Sequence, residues 1–187
     1  MRKNFGAKTW FYPLPVLLIN TYNEDGSSNS MNAAWGGIVD YNQVQVNLAS
    51  HKTTDNIKRN GEFTISFADS KHVSEADYLG LVSGNKVSNK LEVCGLHTEK
   101  ASVVNAPIIK EFALTLECKV VSVNDNLQVV ADIVNVSADE SILDENGEVD
   151  VNKLDIITYD PINHNYIKLG DVVGHAFTDG KKYIWMN

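Results

Sequence analysis

A chain of 187 residues, 43% of them hydrophobic and 21% charged, can bury a full core without disulfide or metal staples. Its formal net charge of -8 and pI of about 5.0 exclude the broad basic face that nucleic-acid binding needs, although one local basic pocket can still hold a phosphate. The longest apolar run, Val16–Ile19, is far too short to span a bilayer, and Met1–Gly6 has no apolar signal core, so a soluble cytoplasmic protein with no membrane or nucleic-acid partner is expected. Cys94 and Cys118 have no CxxC spacing and read as two buried free thiols, which fits a reducing compartment. No repeat, low-complexity stretch or linker divides the chain, so a single domain over 1–187 is expected.

The first hairpin turns at Asp25-Gly26, where a positive φ is needed. The following strand ends in Ser30-Met31-Asn32-Ala33-Ala34-Trp35-Gly36-Gly37, whose small residues let another group approach the backbone. Val44, Val46 and Leu48 alternate with Gln43, Gln45 and Asn47, and Phe63, Ile65 and Phe67 with Glu62, Thr64 and Ser66. Such alternation marks strands with one face on a core. Between these two strands, Thr53–Asn60 reads as a short helix closed by Gly61.

A helical excursion interrupts the strands over about 70–109, with helices at Val73–Val82 and Ser88–Val93 and Pro107 near its end. Phe112, Leu114, Leu116 and Cys118 then resume the alternation. The phase slips by one residue between Val120 and Val121, and again between Ile133 and Val134 on the next strand; such slips are what β-bulges produce when a sheet curls. Asn124-Asp125-Asn126 turns the pair, and further hairpins are expected at Asn146-Gly147 and Asp179-Gly180. Pro161 ends a strand at Tyr159-Asp160, and Tyr166-Ile167-Lys168-Leu169-Gly170 closes the pattern.

Two segments carry candidate chemistry. Ser50-His51-Lys52-Thr53-Thr54 leads from a strand into a helix, whose free N–H groups and positive dipole end favour an anion. The hydroxyls and the Lys52 ammonium would add to it, and a terminal phosphate suits the set; Thr53 or Thr54 capping the helix is the plainer reading of the same residues. Along Asn32–Trp35 a flat polar heterocycle could lie edge-on to main-chain groups, or Gly36-Gly37 is a bulge and Trp35 part of the core. No GxGxxG, P-loop or GxSxG motif occurs, and His51, His72, His97, His164 and His175 never take a metal spacing. Cys94-Gly95-Leu96-His97 is half a zinc site without its second half, so no metal is expected. Taken alone, Lys90 reads as a surface lysine and Tyr166 as a packing residue.

In order along the chain, Trp10–Val16, expected to open the first strand, Asn32–Gly37, His51–Ile57, Val82-Ser83-Gly84 with Asn89-Lys90-Leu91 and Gly95-Leu96, and Tyr166–Gly170 resemble the flavin reductase-like, FMN-binding split-barrel family, especially its flavoredoxin-type branch. The resemblance implies a mainly β fold, an antiparallel Greek-key split barrel with short helical excursions. It implies FMN as cofactor, with its phosphate on Ser50, His51, Lys52, Thr53 and Thr54, its ring along Asn32, Ala33, Ala34 and Trp35, and Lys90 and Tyr166 nearby. A homodimer is implied as well, for which Ala131, Ile133 and Val134 leave little polar surface near the middle of the last long strand, and NAD(P)H as a candidate electron donor. Many NAD(P)H-dependent members carry a histidine in the turn that here reads Asn124-Asp125-Asn126, so nicotinamide is expected to reduce the flavin slowly, if at all. The alternative is a flavoredoxin-like carrier reduced by a protein partner. In either case the flavin carries the chemistry, and no catalytic acid or base is named.

Overall fold

A strand whose residues are apolar on both faces must be covered on both sides, and Val16-Leu17-Leu18-Ile19 is such a strand. The computed structural model describes residues 1–186 and places Leu17–Ile19 in a seven-stranded antiparallel sheet, on the strand second from one edge, with Val16 just before that strand. The elements in chain order are β1 (Leu14–Pro15), β2 (Leu17–Tyr22), β3 (Ser28–Ala33), β4 (Gly36–Asp40), β5 (Gln43–Asn47), α1 (Lys52–Asn60), β6 (Glu62–Phe67), α2 (Val73–Leu81), α3 (Lys90–Val93), β7 (Thr98–Lys100), β8 (Pro107–Ile109), β9 (Leu114–Val123), β10 (Gln128–Ala138), β11 (Ile157–Asp160) and β12 (Asn165–Lys168). The large sheet runs β3-β2-β6-β9-β10-β5-β4 and curls into the half-barrel of a split-barrel fold. A second sheet, β1-β11-β12, and the pair β7-β8 stand beside it.

The inner face of the curl holds Leu17, Ile19, Val44, Val46, Phe63, Ile65, Cys118 and Val129, with Ile57 of α1 packed among them. Gly61, at φ 69°, ends α1 in the left-handed conformation and returns its N–H to the Ile57 carbonyl at 2.9 Å. The outer face of β2, through Val16 and Leu18, packs on Ala76 and Leu79 of α2, Leu91 of α3, Ile109 and Phe112. Both phase slips in the sequence are bulges. In the β9–β10 ladder Val130 pairs with Ser122 and Ala131 with Val120, leaving Val121 over; Ile133 pairs with Cys118 and Asn135 with Glu117, leaving Val134 over. Both extra valines are exposed.

Some expectations differ from what forms. Asp179-Gly180 turns no hairpin but opens a 3₁₀ run over Asp179–Met186, because no strand lies on either side to be joined. The 70–109 excursion is only half helical; its second half is the β7–β8 hairpin, seated on the sheet. Trp10–Tyr12 form no strand, and β1 begins at Leu14. Cys118 is buried but Cys94 only half-buried, both as free thiols. Ala131 lies inside the barrel, so the exposed apolar residues of the two long strands are Val121, Val134 and Val136. No helix among the described residues is long and apolar enough to cross a membrane.

The seat of the β7–β8 hairpin is polar, which the hydrophobic pattern gives no hint of. Asn20 Nδ2 donates to Thr64 Oγ1 and Ser66 Oγ, both at 3.1 Å, and Thr64 Oγ1 donates to the Pro107 carbonyl. Glu117, fully buried, accepts from Ser102 Oγ (2.8 Å), Asn135 Nδ2 (2.7 Å), Val103 N (2.7 Å) and Val104 N (3.0 Å). Burial opposes its ionisation, but the Asn135 and Ser102 bonds and the two N–H groups outweigh burial and hold its pKa below the ordinary value. A carboxyl with a depressed folded pKa stabilises the fold above its unfolded pKa, and that stability goes as pH falls through the folded value. Replacing Glu117 with Ala should cost about 3 kcal/mol at pH 7 in urea denaturation, because four donors lose their acceptor. The gap between wild type and variant should narrow below about pH 4; a gap that is constant down to pH 3 would show that Glu117 is not the ionised acceptor.

Candidate functional site

A cavity of about 450 Å3 opens where β3 ends, where the β5–α1 loop begins and where α2 crosses the sheet. Such a volume lies within the range of small-molecule and cofactor sites. Asn32, Ala33, Ala34 and Trp35 form one wall. Trp35 is 50% exposed, so it is a rim residue and not part of the core. Its carbonyl accepts the Asn47 N–H at 2.8 Å, which ties this wall to β5. Asn32 turns its Nδ2 to the Ala76 carbonyl at 3.0 Å, and a Cβ on Gly80 would come to 3.2 Å from Asn32 Cβ. Only glycine fits there without moving the wall.

The second wall is the β5–α1 loop. His51 lines the cavity and is the N-cap of α1, with extended φ and ψ and no side-chain bond to the first turn. The leading N–H groups of the helix therefore keep their donors for an anion. Thr53 and Thr54 are buried, and their hydroxyls shape the loop: Thr54 Oγ1 donates to the Ala49 carbonyl at 2.6 Å, and Thr53 Oγ1 accepts from Asn29 Nδ2 at 2.7 Å. Ser50 is exposed at the loop's turn. The Ser83-Gly84 turn lies against the same loop; a Cβ on Gly84 would stand 2.4 Å from Asn29 Oδ1 and 3.3 Å from Lys52 Cβ. Of the phosphate-loop candidates only His51 lines the cavity; Ser50, Lys52, Thr53 and Thr54 stand beside it at the helix end.

The third wall comes from α2 and the small sheet. Asp77, Gly80 and Leu81 face the cavity at helical spacing, and Tyr166 and Tyr159 stand opposite on β12 and β11. Tyr166 Oη donates to Asp77 Oδ1 at 2.7 Å. Burial and the Asp77 carboxylate push the Tyr166 phenol well above its ordinary pKa, so it stays protonated. Lys90 does not line the cavity. It is 2% exposed, and its Nζ donates to the Leu79 (3.2 Å) and Val82 (3.1 Å) carbonyls at the end of α2. The cation thus caps the helix turn that carries Gly80 and Leu81, and burial lowers its pKa to about 8. Asp77, Gly80 and Tyr159 were not picked out from the sequence. The one signal for them is the 77, 80, 81 spacing, which leaves Leu81 exposed on the last turn of α2.

The chain matches the flavin reductase like domain over residues 9–158. It belongs to the flavin reductase-like family. It is similar to a flavoredoxin of Desulfovibrio vulgaris (Miyazaki F), 34% identical with a TM-score of 0.92, covering 96% of this chain and all of that one. A flavoredoxin from Methanosarcina acetivorans is 32% identical with a TM-score of 0.86, covering 98% of this chain and 100% of its own. An uncharacterised protein of Archaeoglobus fulgidus is 30% identical over 76% of this chain and 81% of its own length. Tyr166 lies beyond the family match but inside the span shared with both flavoredoxins. Membership makes this a flavin-handling redox protein.

The Lys90 cap has a measurable consequence. Its folded pKa is lowered, so between about pH 8 and 10.5 the folded chain has shed a proton that the unfolded chain still holds, and stability rises with pH in that window. Urea denaturation of wild type against Lys90→Met should show wild type gaining on the variant from pH 8 to pH 10. Parallel pH curves for the two proteins would mean that Lys90 is solvated, not buried.

Proposed function

We propose that the chain binds FMN in this cavity and works as a flavin reductase-type oxidoreductase. The observation that carries the reading is the pairing of an apolar cavity of about 450 Å3 with an uncapped helix N-terminus at one end. The first suits a flat ring, the second an anionic tail, and FMN has both. Asn32–Trp35 would run beside the ring. The first turn of α1, with Lys52, Thr53 and Ser50, would meet the phosphate, while Thr54 keeps the loop in shape. The close approach of Gly84 to Lys52 and Asn29 leaves the Ser83-Gly84 turn against the same helix end. Bound flavin supplies hydride or electron transfer; the chain's part is to position the ring, keep water from one face and set the local charge.

Two further parts of the reading concern partners. The accessible surface is 11735 Å2, whereas a folded monomer of 20.7 kDa exposes about 8900 Å2. Much of the excess is apolar: Phe5, Phe11, Trp35, Ile38, Tyr41, Val173 and Phe177 are all exposed. A homodimer that covers the two terminal arms and β4 accounts for it, since obligate dimers bury surface of this order. The electron donor would be NAD(P)H, at a low rate. Leu48, which lines the cavity, donates its N–H to the Leu127 carbonyl at 3.0 Å, which ties this edge of the cavity to the Asn124–Leu127 turn, a turn without a histidine. Two free thiols fit a cytoplasmic home.

FMN should bind at least about tenfold tighter than riboflavin by fluorescence quenching, because one charge-assisted bond to phosphate contributes about 1.5–3 kcal/mol. Equal affinities would remove the phosphate assignment. Under anaerobic conditions dithionite should bleach the flavin at once, and NADH or NADPH over minutes. Bleaching in seconds would show that another group orients the nicotinamide. If neither nicotinamide bleaches the band, the protein is a flavoredoxin-like carrier that takes electrons from a protein partner.

A further inference from the structure

Among the described residues that line the cavity, Asp77 has the only carboxylate, and no lysine or arginine side chain faces it there. It is held from both directions. Tyr166 Oη donates to its Oδ1 at 2.7 Å from β12, and the α2 backbone fixes its base, since the Ala76 carbonyl accepts from Asn32 Nδ2 at 3.0 Å. The surrounding charges do not neutralise it within the cavity. His51 stands on the opposite wall, and the Lys90 ammonium is spent on the Leu79 and Val82 carbonyls. The Tyr166 phenol keeps its proton and is the donor of the pair.

We infer that the Asp77 carboxylate, clamped by Tyr166, holds down the midpoint potential of the flavin bound in this cavity. The inference rests on the FMN reading and goes beyond it, to a residue that sets how strongly the bound flavin reduces its acceptor. A reduced flavin carries more electron density than an oxidised one. A fixed negative charge in a cavity wall opposes that gain, and salt screens a charge held in a cavity less than one in open solvent. The oxidised ring, being neutral, is bound without that penalty. By linkage, whatever disfavours reduced over oxidised FMN in binding lowers the potential by the same factor.

The test is the midpoint potential of the FMN-loaded protein at pH 8. Asp77→Asn keeps an acceptor for the Tyr166 hydroxyl but removes the charge, and should favour reduction at least tenfold, an upward shift of about 30 mV for a two-electron couple. Asp77→Glu keeps the charge and should stay close to wild type. Tyr166→Phe also keeps the charge and should not raise the potential. The ratio of affinities for reduced and oxidised FMN should change in D77N by the same factor as the potential. An unchanged potential in flavin-loaded D77N overturns the inference, and so does an equal rise in Y166F, which would mean that the pair acts by packing. If D77N does not hold flavin, Asp77→Ser takes its place; if both fold and neither binds oxidised FMN, Asp77 is a binding residue and the inference falls. Wild type that holds no flavin removes the FMN reading, a result distinct from any of these.

Discussion

β2 has no solvent face. Leu17 and Ile19 point into the curl of the sheet while Val16 and Leu18 point out of it, and all four are buried. Burying such side chains stabilises the fold by about 1.5–3 kcal/mol each, so both faces need a cover. The inner face is covered by the sheet's own curvature and by α1. The outer face is covered by α2, α3 and the residues around Ile109 and Phe112. The two covers come from different stretches of chain and leave a gap between them. The cavity is that gap: the α1 loop bounds it on one side and α2 on the other, with the end of β3 between them.

The curvature that makes this possible is local. The two bulges, at Val121 and Val134, each insert one residue into the β9–β10 ladder. A bulge raises the twist and bends its strand, so two on one hairpin turn a flat pair into a wall of the barrel. The same slip moves a valine from the core side to the outside, where both extra residues are exposed. Apolar surface on the outside of a long hairpin is thus a by-product of curling the sheet.

Two buried charges, Glu117 and Lys90, are answered within the fold. Glu117 is buried and answered by four donors, which fasten the β7–β8 hairpin to a polar seam. Lys90 is buried and answered by two carbonyls, which fixes the end of α2. These groups serve the architecture around the cavity. Two features keep free capacity toward the cavity itself: the uncapped N-terminus of α1 and the Asp77 carboxylate. One is the positive end of a helix and the other a negative charge, on separate walls, so the site is electrically polarised before anything binds.

Much of the architecture was legible in the residues alone. Period-two alternation marks β5, β6 and β9, because a strand places successive side chains on opposite faces. The phase slips locate both bulges for the same reason. Gly61 and Gly26 mark α1's end and the first hairpin, because their positive φ values strain any other residue. The stretch Asn32–Trp35 and the loop at His51 came from resemblance and from the anion chemistry of a helix start. What the tertiary structure alone decided is contact between distant segments. Lys90 reads as a surface lysine until α2 and α3 pack together and its Nζ meets two carbonyls eight and eleven residues upstream. Tyr166 and Asp77 are 89 positions apart, and no pattern in either neighbourhood pairs them. Local periodicity reports which face of an element is buried; it does not report what that face is buried against, and a site built in the gap between two covers is made of such meetings.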